Sequence, residues 1–272
     1  MQPRIFGPYE PIRRDYLVDE FLADLDGCGV SRSVYVQANW APERFEDEVA
    51  WVQRTADESG WPHAIVGYAD FLRPDVRPQL DILARYRLVR GLRMQLHWHE
   101  NPAYRFAARP DLCTDATLTR NVQRLADYGW SFDLQVFSAQ MEGAARLAQA
   151  CPNVTFVLQH AGMLEDLSGA GRDAWREGMR KLAAQPNVVT KLSGFGTFLH
   201  RNDPDHIARI VAESVALFGA ERCLFGSNFP IEKLWTDYTA LLNAHLQACA
   251  ALSQAQRQDI FGNTARRVYR IE

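Results

Sequence analysis

"LFGSNFP", residues 224–230, is an apolar run that stops abruptly on Gly226, Ser227, Asn228 and Pro230. A short apolar run closed by such residues reads as a buried strand, and a strand apolar on both sides needs cover on both faces. The pattern repeats upstream in "SVYVQA" from Ser33, "HAIVGYADF" from His63, "LVRGLRMQL" from Leu88, "SFDLQVF" from Ser131, "VTFVLQH" from Val154 and "VVTKLSG" from Val188. Stretches of helical period separate these runs, among them "EDEVAWVQRTADESG" from Glu46 and "DHIARIVAESVALFG", which leads into Cys223. Strands that alternate with helices predict a parallel sheet wrapped by helices. Seven strands are counted, where a closed (β/α)8 barrel has eight. No Gly-rich phosphate loop follows any of them, so the usual reason for an open doubly wound sheet is missing. The expectation is an α/β fold, a (β/α)8 TIM-like barrel, with its first strand ahead of Met1.

The rest of the chain agrees with that outline. Residues 1–15 hold Pro3, Pro8 and Pro11 without apolar alternation and read as an arm, and residues 1–272 read as one domain. With 272 residues, 47% of them hydrophobic and 23% charged, the chain can bury a full core. A formal charge of -3 gives no field that would gather nucleic acid or an anionic membrane. No apolar run approaches the roughly 20 residues that span a bilayer, and no leader pattern stands at Met1, so a cytoplasmic location is expected. Cys28, Cys113, Cys151, Cys223 and Cys249 lack ligand spacing and read as small apolar fillers in a reducing compartment. The remaining partners are a small-molecule substrate and another subunit of a homo-oligomer.

In such a barrel the chemistry gathers at the carboxyl ends of the strands. Those ends carry Gln37 and Asn39, Asp70, Arg93 and Gln95, Asp133 and Gln135, Gln159 and His160, Lys191 and Ser193, and Ser227 and Asn228. His160 is the sharpest of these, because "FVLQHAG" runs an apolar strand straight into an imidazole. Arg93 suits a carboxylate through its planar fork, with an ion pair to a neighbouring Asp as the other reading. Asp70 is a base, a ligand or a turn cap, and Lys191 contacts a carbonyl or pairs with an acid. "LHWH", residues 96–99, has the H-x-H form of a metal pair but lies beyond its strand, where substrate contact or a solvated loop is the stronger reading. Glu232 and Lys233 read as an exposed ion pair on the rim.

The motifs "VYVQANW", "HAIVGYADF", "VRGLRMQ", "VLQHAG", "NVVTKLSGF" and "RCLFGSNFP", closed by "DIFGNTARRVYRI", occur in one order from about Tyr16 to Ile271. This set resembles the amidohydrolase-2 group of the amidohydrolase superfamily, metal-dependent hydrolases on a TIM barrel. The resemblance implies lactone opening, with nonoxidative decarboxylation as a related activity. It also implies a divalent metal, zinc or manganese, an H-x-H pair on the first strand, a further strand-end His that falls on His160, and an Asp that falls on Asn228.

Two departures follow from it. Nothing here matches the first-strand H-x-H, so both that pair and the uncounted strand are expected upstream of Met1. Asn228 is an amide and cannot serve as a general base. Either another acid, Asp70 first, takes the proton, or the site works without a tightly held metal, or the chain is a weak or different catalyst, down to an impaired barrel that only binds its ligand. The expected assignments are His160 polarising a carbonyl or binding metal, Asn228 orienting water or substrate, and Asp70 moving the proton. Arg93, Gln95, Gln37, Lys191 and His97 are expected to hold the substrate.

Overall fold

The computed structural model describes residues 4–272. Seven parallel strands pair strictly in chain order: β1 Val34–Val36, β2 Ala64–Gly67, β3 Val89–Leu92, β4 Ser131–Leu134, β5 Phe156–Leu158, β6 Val188–Leu192 and β7 Cys223–Phe225. Each is shorter than its apolar run, because the polar residues at the carboxyl ends leave the ladder and turn into loops. The sheet curls as a TIM-like α/β barrel, open between β1 and β7 among the described residues.

The helices are α1 Val18–Asp24, α2 Phe45–Ser59, α3 Arg77–Leu83, α4 Ala116–Gln123, α5 Leu125–Tyr128, α6 Met141–Ala150, α7 Gly169–Ala183, α8 Pro204–Phe218, α9 Tyr238–Ala248, α10 Gln254–Gln258 and α11 Thr264–Tyr269. Local chemistry sets their ends. Asp115 and Asp203 cap α4 and α8 by accepting from Leu118 N at 2.9 Å and His206 N at 3.0 Å. Gly60 closes α2 in the left-handed region, its N–H returning to Ala56 O at 2.9 Å. A π turn over Asp259–Asn263 joins α10 to α11, so the helical run from Gln254 to Tyr269 is continuous but bulged. Residues 4–17 contain a single 3-10 turn, Glu10–Ile12, and no strand. Among the described residues, no helix is long and apolar enough to cross a membrane.

Period two sends alternate strand residues to opposite faces, and most strands divide between two cores. Ile65, Leu92, Phe132, Leu134, Phe156, Leu158 and Leu192 join the outer core, where the helices contribute Val49, Val52, Leu80, Leu118, Val122, Ala144 and Met179. Each fully buried side chain of this size stabilises the fold by about 1.5–3 kcal/mol. The alternate residues Ala64, Val66, Val157, Val189 and Leu224 fill the barrel interior together with Tyr269 of α11. Above this apolar floor the inward positions turn polar.

Candidate active site

Asp133 lies at the centre of that polar layer, with no exposure to solvent. Its carboxylate accepts from Gln159 Nε2 at 2.7 Å, Lys191 Nζ at 3.1 Å and Tyr269 Oη at 3.4 Å. Lys191 thus pairs with an acid, the second of its two sequence readings. Burial lowers its pKa from the ordinary ammonium value, and Asp133 opposes that shift. Gly226 of the "FGS" segment makes the arrangement possible, because a Cβ there would press within 3.1 Å of both Lys191 Cδ and Ser193 Cβ.

Arg93, Gln95 and His97 follow β3 at alternate positions and each carries a buried polar atom with no protein partner: Arg93 Nε, Gln95 Oε1 and His97 Nδ1. Arg93 Nη2 donates to Gln37 O at 2.5 Å, and Gln95 Nε2 donates to Gln135 Oε1 at 3.1 Å. The guanidinium has no carboxylate within ion-pair distance among the described residues. Asp133 and Glu48 act on it only at longer range, opposing the burial that lowers its pKa. Gln37 is buried, and its Oε1 accepts from Asn39 N at 2.6 Å. His97 sits under Phe106 and Phe137, at ring separations of 5.6 and 5.8 Å, and burial pushes its pKa down to about 3. His99 packs on the same Phe137 ring and stands 3.8 Å from Glu165 at the rim. The two imidazoles of "LHWH" therefore share an aromatic wall.

His160, two residues beyond β5, lies in the left-handed region at φ 55. Asn39 at φ 61 and Asn228 at φ 56 do the same beyond β1 and β7. Non-glycine residues in this region are costly, and their clustering at strand ends marks a site that the surrounding fold holds in place. His160 Nδ1 lies 2.9 Å from Ser193 Oγ. Gly194, itself at φ +67, covers the ring, since a Cβ there would collide with Nδ1. Burial, with Lys191 and Arg93 adding repulsion, pushes the His160 pKa down to about 3. The ring is neutral at physiological pH.

Asp70 is turned to local use. Its Oδ1 accepts from Leu72 N at 3.0 Å, and its own N–H donates to Gln79 Oε1 at 2.9 Å. That is the turn-cap contact among its sequence readings. No hydrogen bond joins it to His160, Asp133 or Asn228 among the described residues.

The expected exposed pair of Glu232 and Lys233 does not exist. Lys233 reaches α1, pairing with Glu20 at 2.6 Å and Asp24 at 2.9 Å. Glu232 is 1% exposed and turns inward. Its Oε1 accepts from Asn228 Nδ2 at 3.3 Å and its Oε2 from Trp235 Nε1 at 2.5 Å. The one-turn helix Ile231–Leu234 sends adjacent residues in different directions, which adjacency in sequence cannot reveal. Burial pushes the Glu232 pKa up to about 7.

A divalent metal needs converging donors. Among the described residues, no three His, Cys, Asp or Glu side chains are grouped to hold one. His160 faces two cations and has Nδ1 against Ser193. This donor set does not fit a tightly held dication.

The buried imidazoles predict an acid-labile fold. His97, His160 and His245 have folded pKa values near 3, 3 and 4, all depressed by burial. The unfolded chain therefore takes up protons below pH about 6.5 that the native chain refuses, so stability is full above that pH and falls toward pH 3–4. The slope is at most about 4 kcal/mol per pH unit for three such groups. Urea midpoints measured from pH 8 to 4 check this, and a flat profile would contradict it.

The amidohydrolase family model matches residues 1–271. An uncharacterised protein of Sinorhizobium fredii, y4mH, is 35% identical over all of this chain and 91% of its own length. A protein of Burkholderia multivorans named L-fucono-1,5-lactonase is 30% identical over 96% of this chain and 88% of its own. A crystal structure of an amidohydrolase from Burkholderia multivorans with bound zinc superposes with a TM-score of 0.84 at 27% identity, covering 96% of this chain and 91% of that one. The strand order, the polar mouth and these matches agree: the chain belongs to the amidohydrolase family.

Proposed function

We propose that this chain is a hydrolase that opens a small lactone, either carboxylated or derived from a sugar acid, by attack of water. The observation that carries the reading is the buried guanidinium of Arg93, which among the described residues has no carboxylate within ion-pair distance and an Nε without a protein partner, near the Lys191–Asp133 pair and neutral His160. Asp133 and Glu48 act on Arg93 only at longer range, so its guanidinium is left to a further carboxylate, whether that belongs to the substrate or forms as the ring opens. Charge-assisted contacts of this kind are the stronger ones in a dry site. Arg93 Nε, Gln95 Oε1 and His97 Nδ1 are buried without protein partners at alternate positions after β3, and they suit the oxygens of such a ring.

In the tautomer with the His160 ring proton on Nε2, Ser193 Oγ–H donates to Nδ1, and the Nε2–H donates to the lactone carbonyl oxygen as charge builds on it. The water oxygen bonds to the carbonyl carbon, the ring C–O bond breaks, and the proton lost by water ends on the released alkoxide. The product is a hydroxy acid. A relative 30% identical that is named a lactonase supports this choice within the family.

A panel of carboxylated and neutral lactones tests the reading, with acid production and carbon dioxide followed together. In Arg93→Gln the KM for carboxylated lactones is expected to rise about 10- to 100-fold, the worth of a hydrogen bond to a charged group. Neutral analogues should change much less. Carbon dioxide release in place of ring opening would sink the hydrolase reading, and equal losses on both substrate groups would remove the anchoring role of Arg93.

A further inference from the structure

Asn228, in the left-handed region just beyond β7, is hydrogen-bonded to a buried acid. Glu232 is buried, bonded through one oxygen to Asn228 Nδ2 and through the other to Trp235 Nε1. Gly196, in the loop after β6, leaves the room, since a Cβ there would collide with Trp235 Nε1 and Glu232 Oε2. The charges around this segment are engaged elsewhere or lie at its edge. Lys233 on the same turn pairs with Glu20 and Asp24 of α1, and Arg14 pairs with Glu20. Glu10, on the 3-10 turn that packs against 231–234, is exposed, and His200 stacks on the far side of Trp235 at 5.9 Å. No cation lies within ion-pair distance of Glu232 among the described residues.

A carboxylate only accepts hydrogen bonds, and the indole N–H only donates. Asn228 must therefore turn its NH2 toward Glu232, which sends Oδ1 the other way. We propose that Glu232 is a positioning residue of the active site, whose carboxylate fixes the Asn228 carboxamide so that Oδ1 faces the barrel mouth and accepts from the attacking water. This rests on the hydrolase reading above. An amide held in this way aligns water for attack without taking its proton. The arrangement also defines a switch. A protonated Glu232 has an O–H that needs an acceptor, and the only amide atom able to serve is Oδ1, so the carboxamide turns over and presents NH2 to the water. Burial pushes the Glu232 pKa up to about 7, within reach of physiological pH.

The test compares wild type with Glu232→Gln, Asn228→Asp, their double variant and Trp235→Phe. Wild-type kcat is expected to fall on the acid side of a midpoint near pH 7. Glu232→Gln should lose that limb and about 10- to 100-fold in kcat with little change in KM, up to the cost of misplacing a reacting group by about 1 Å. In the double variant the amide introduced at position 232 donates to the carboxylate introduced at position 228, so kcat should recover above the Glu232→Gln value. A Glu232→Gln variant that keeps both the limb and the wild-type kcat overturns the proposal, as does a double variant no better than that single one. Tryptophan fluorescence separates this failure from failure of the hydrolase reading. A pH step near 7 in wild type, lost in Trp235→Phe and Glu232→Gln and moved upward in Asn228→Asp by the added charge, supports the coupled pair even if no lactone is opened. No step, or one indifferent to residue 228, overturns it.

Discussion

His160→Ala is expected to lower kcat/KM for lactone opening by about 10²–10³, the cost of removing one aligned donor from a developing oxyanion. The geometry argues for a donor and against a base. The ring pKa is pushed down to about 3, so the ring carries one proton through the working pH range and has little affinity for a second. With Nδ1 against Ser193 Oγ at 2.9 Å, Nε2 is the nitrogen left for the substrate. His160→Gln keeps an N–H of similar reach and should retain part of the activity, which separates donation from proton transfer. Activity lost to His160 replacement should also be independent of pH between 6 and 9. Steady-state kinetics on the lactone panel, with circular dichroism to verify the fold, make the measurement. Unchanged turnover in His160→Ala would remove this role.

Asp133→Ala is expected to cost about 3–5 kcal/mol of folding stability, the usual penalty for leaving a buried charge without its partner. That is a large share of the roughly 5–15 kcal/mol that holds a typical domain together. The side chain is fully buried and anchors Gln159, Lys191 and Tyr269 at once. Without it Lys191 stays buried with no carboxylate partner while Arg93 still repels it, and the Lys191 pKa falls further as its one opposing influence is lost. Replacing both members, as Asp133→Leu with Lys191→Met, removes the unpaired charge and should recover more than half of the loss. Urea denaturation of the two variants decides the matter. A single-variant loss below about 1 kcal/mol, in the range of an exposed pair, would contradict the role of Asp133 as the centre of the layer.

Much of the site could be read from the chain because strands impose a period of two. Ser131, Asp133 and Gln135 alternate with Phe132 and Leu134, and that spacing alone separates a polar interior from an apolar exterior. The same logic brought Arg93, Gln95, Lys191 and His160 to the strand ends, where the structure gathers them. Asp70 shows the limit: a strand-end carboxylate can equally cap the next turn, and its contact with Leu72 N is local.

Local periodicity and residue chemistry were enough to place the seven strands, their helical separators, the carboxyl-end mouth and the amide at position 228. What stands behind Asn228 and beneath Asp133 depends on the folded chain. Glu232 follows Asn228 by four residues and adjoins Lys233, which invites an exposed pair, yet the one-turn helix after Pro230 separates them and buries the acid against Trp235. Tyr269 is 136 residues away from Asp133 in the chain and meets it only when α11 closes the barrel floor. Contacts of that range are set by which apolar faces can be buried together, and no window of sequence contains both partners.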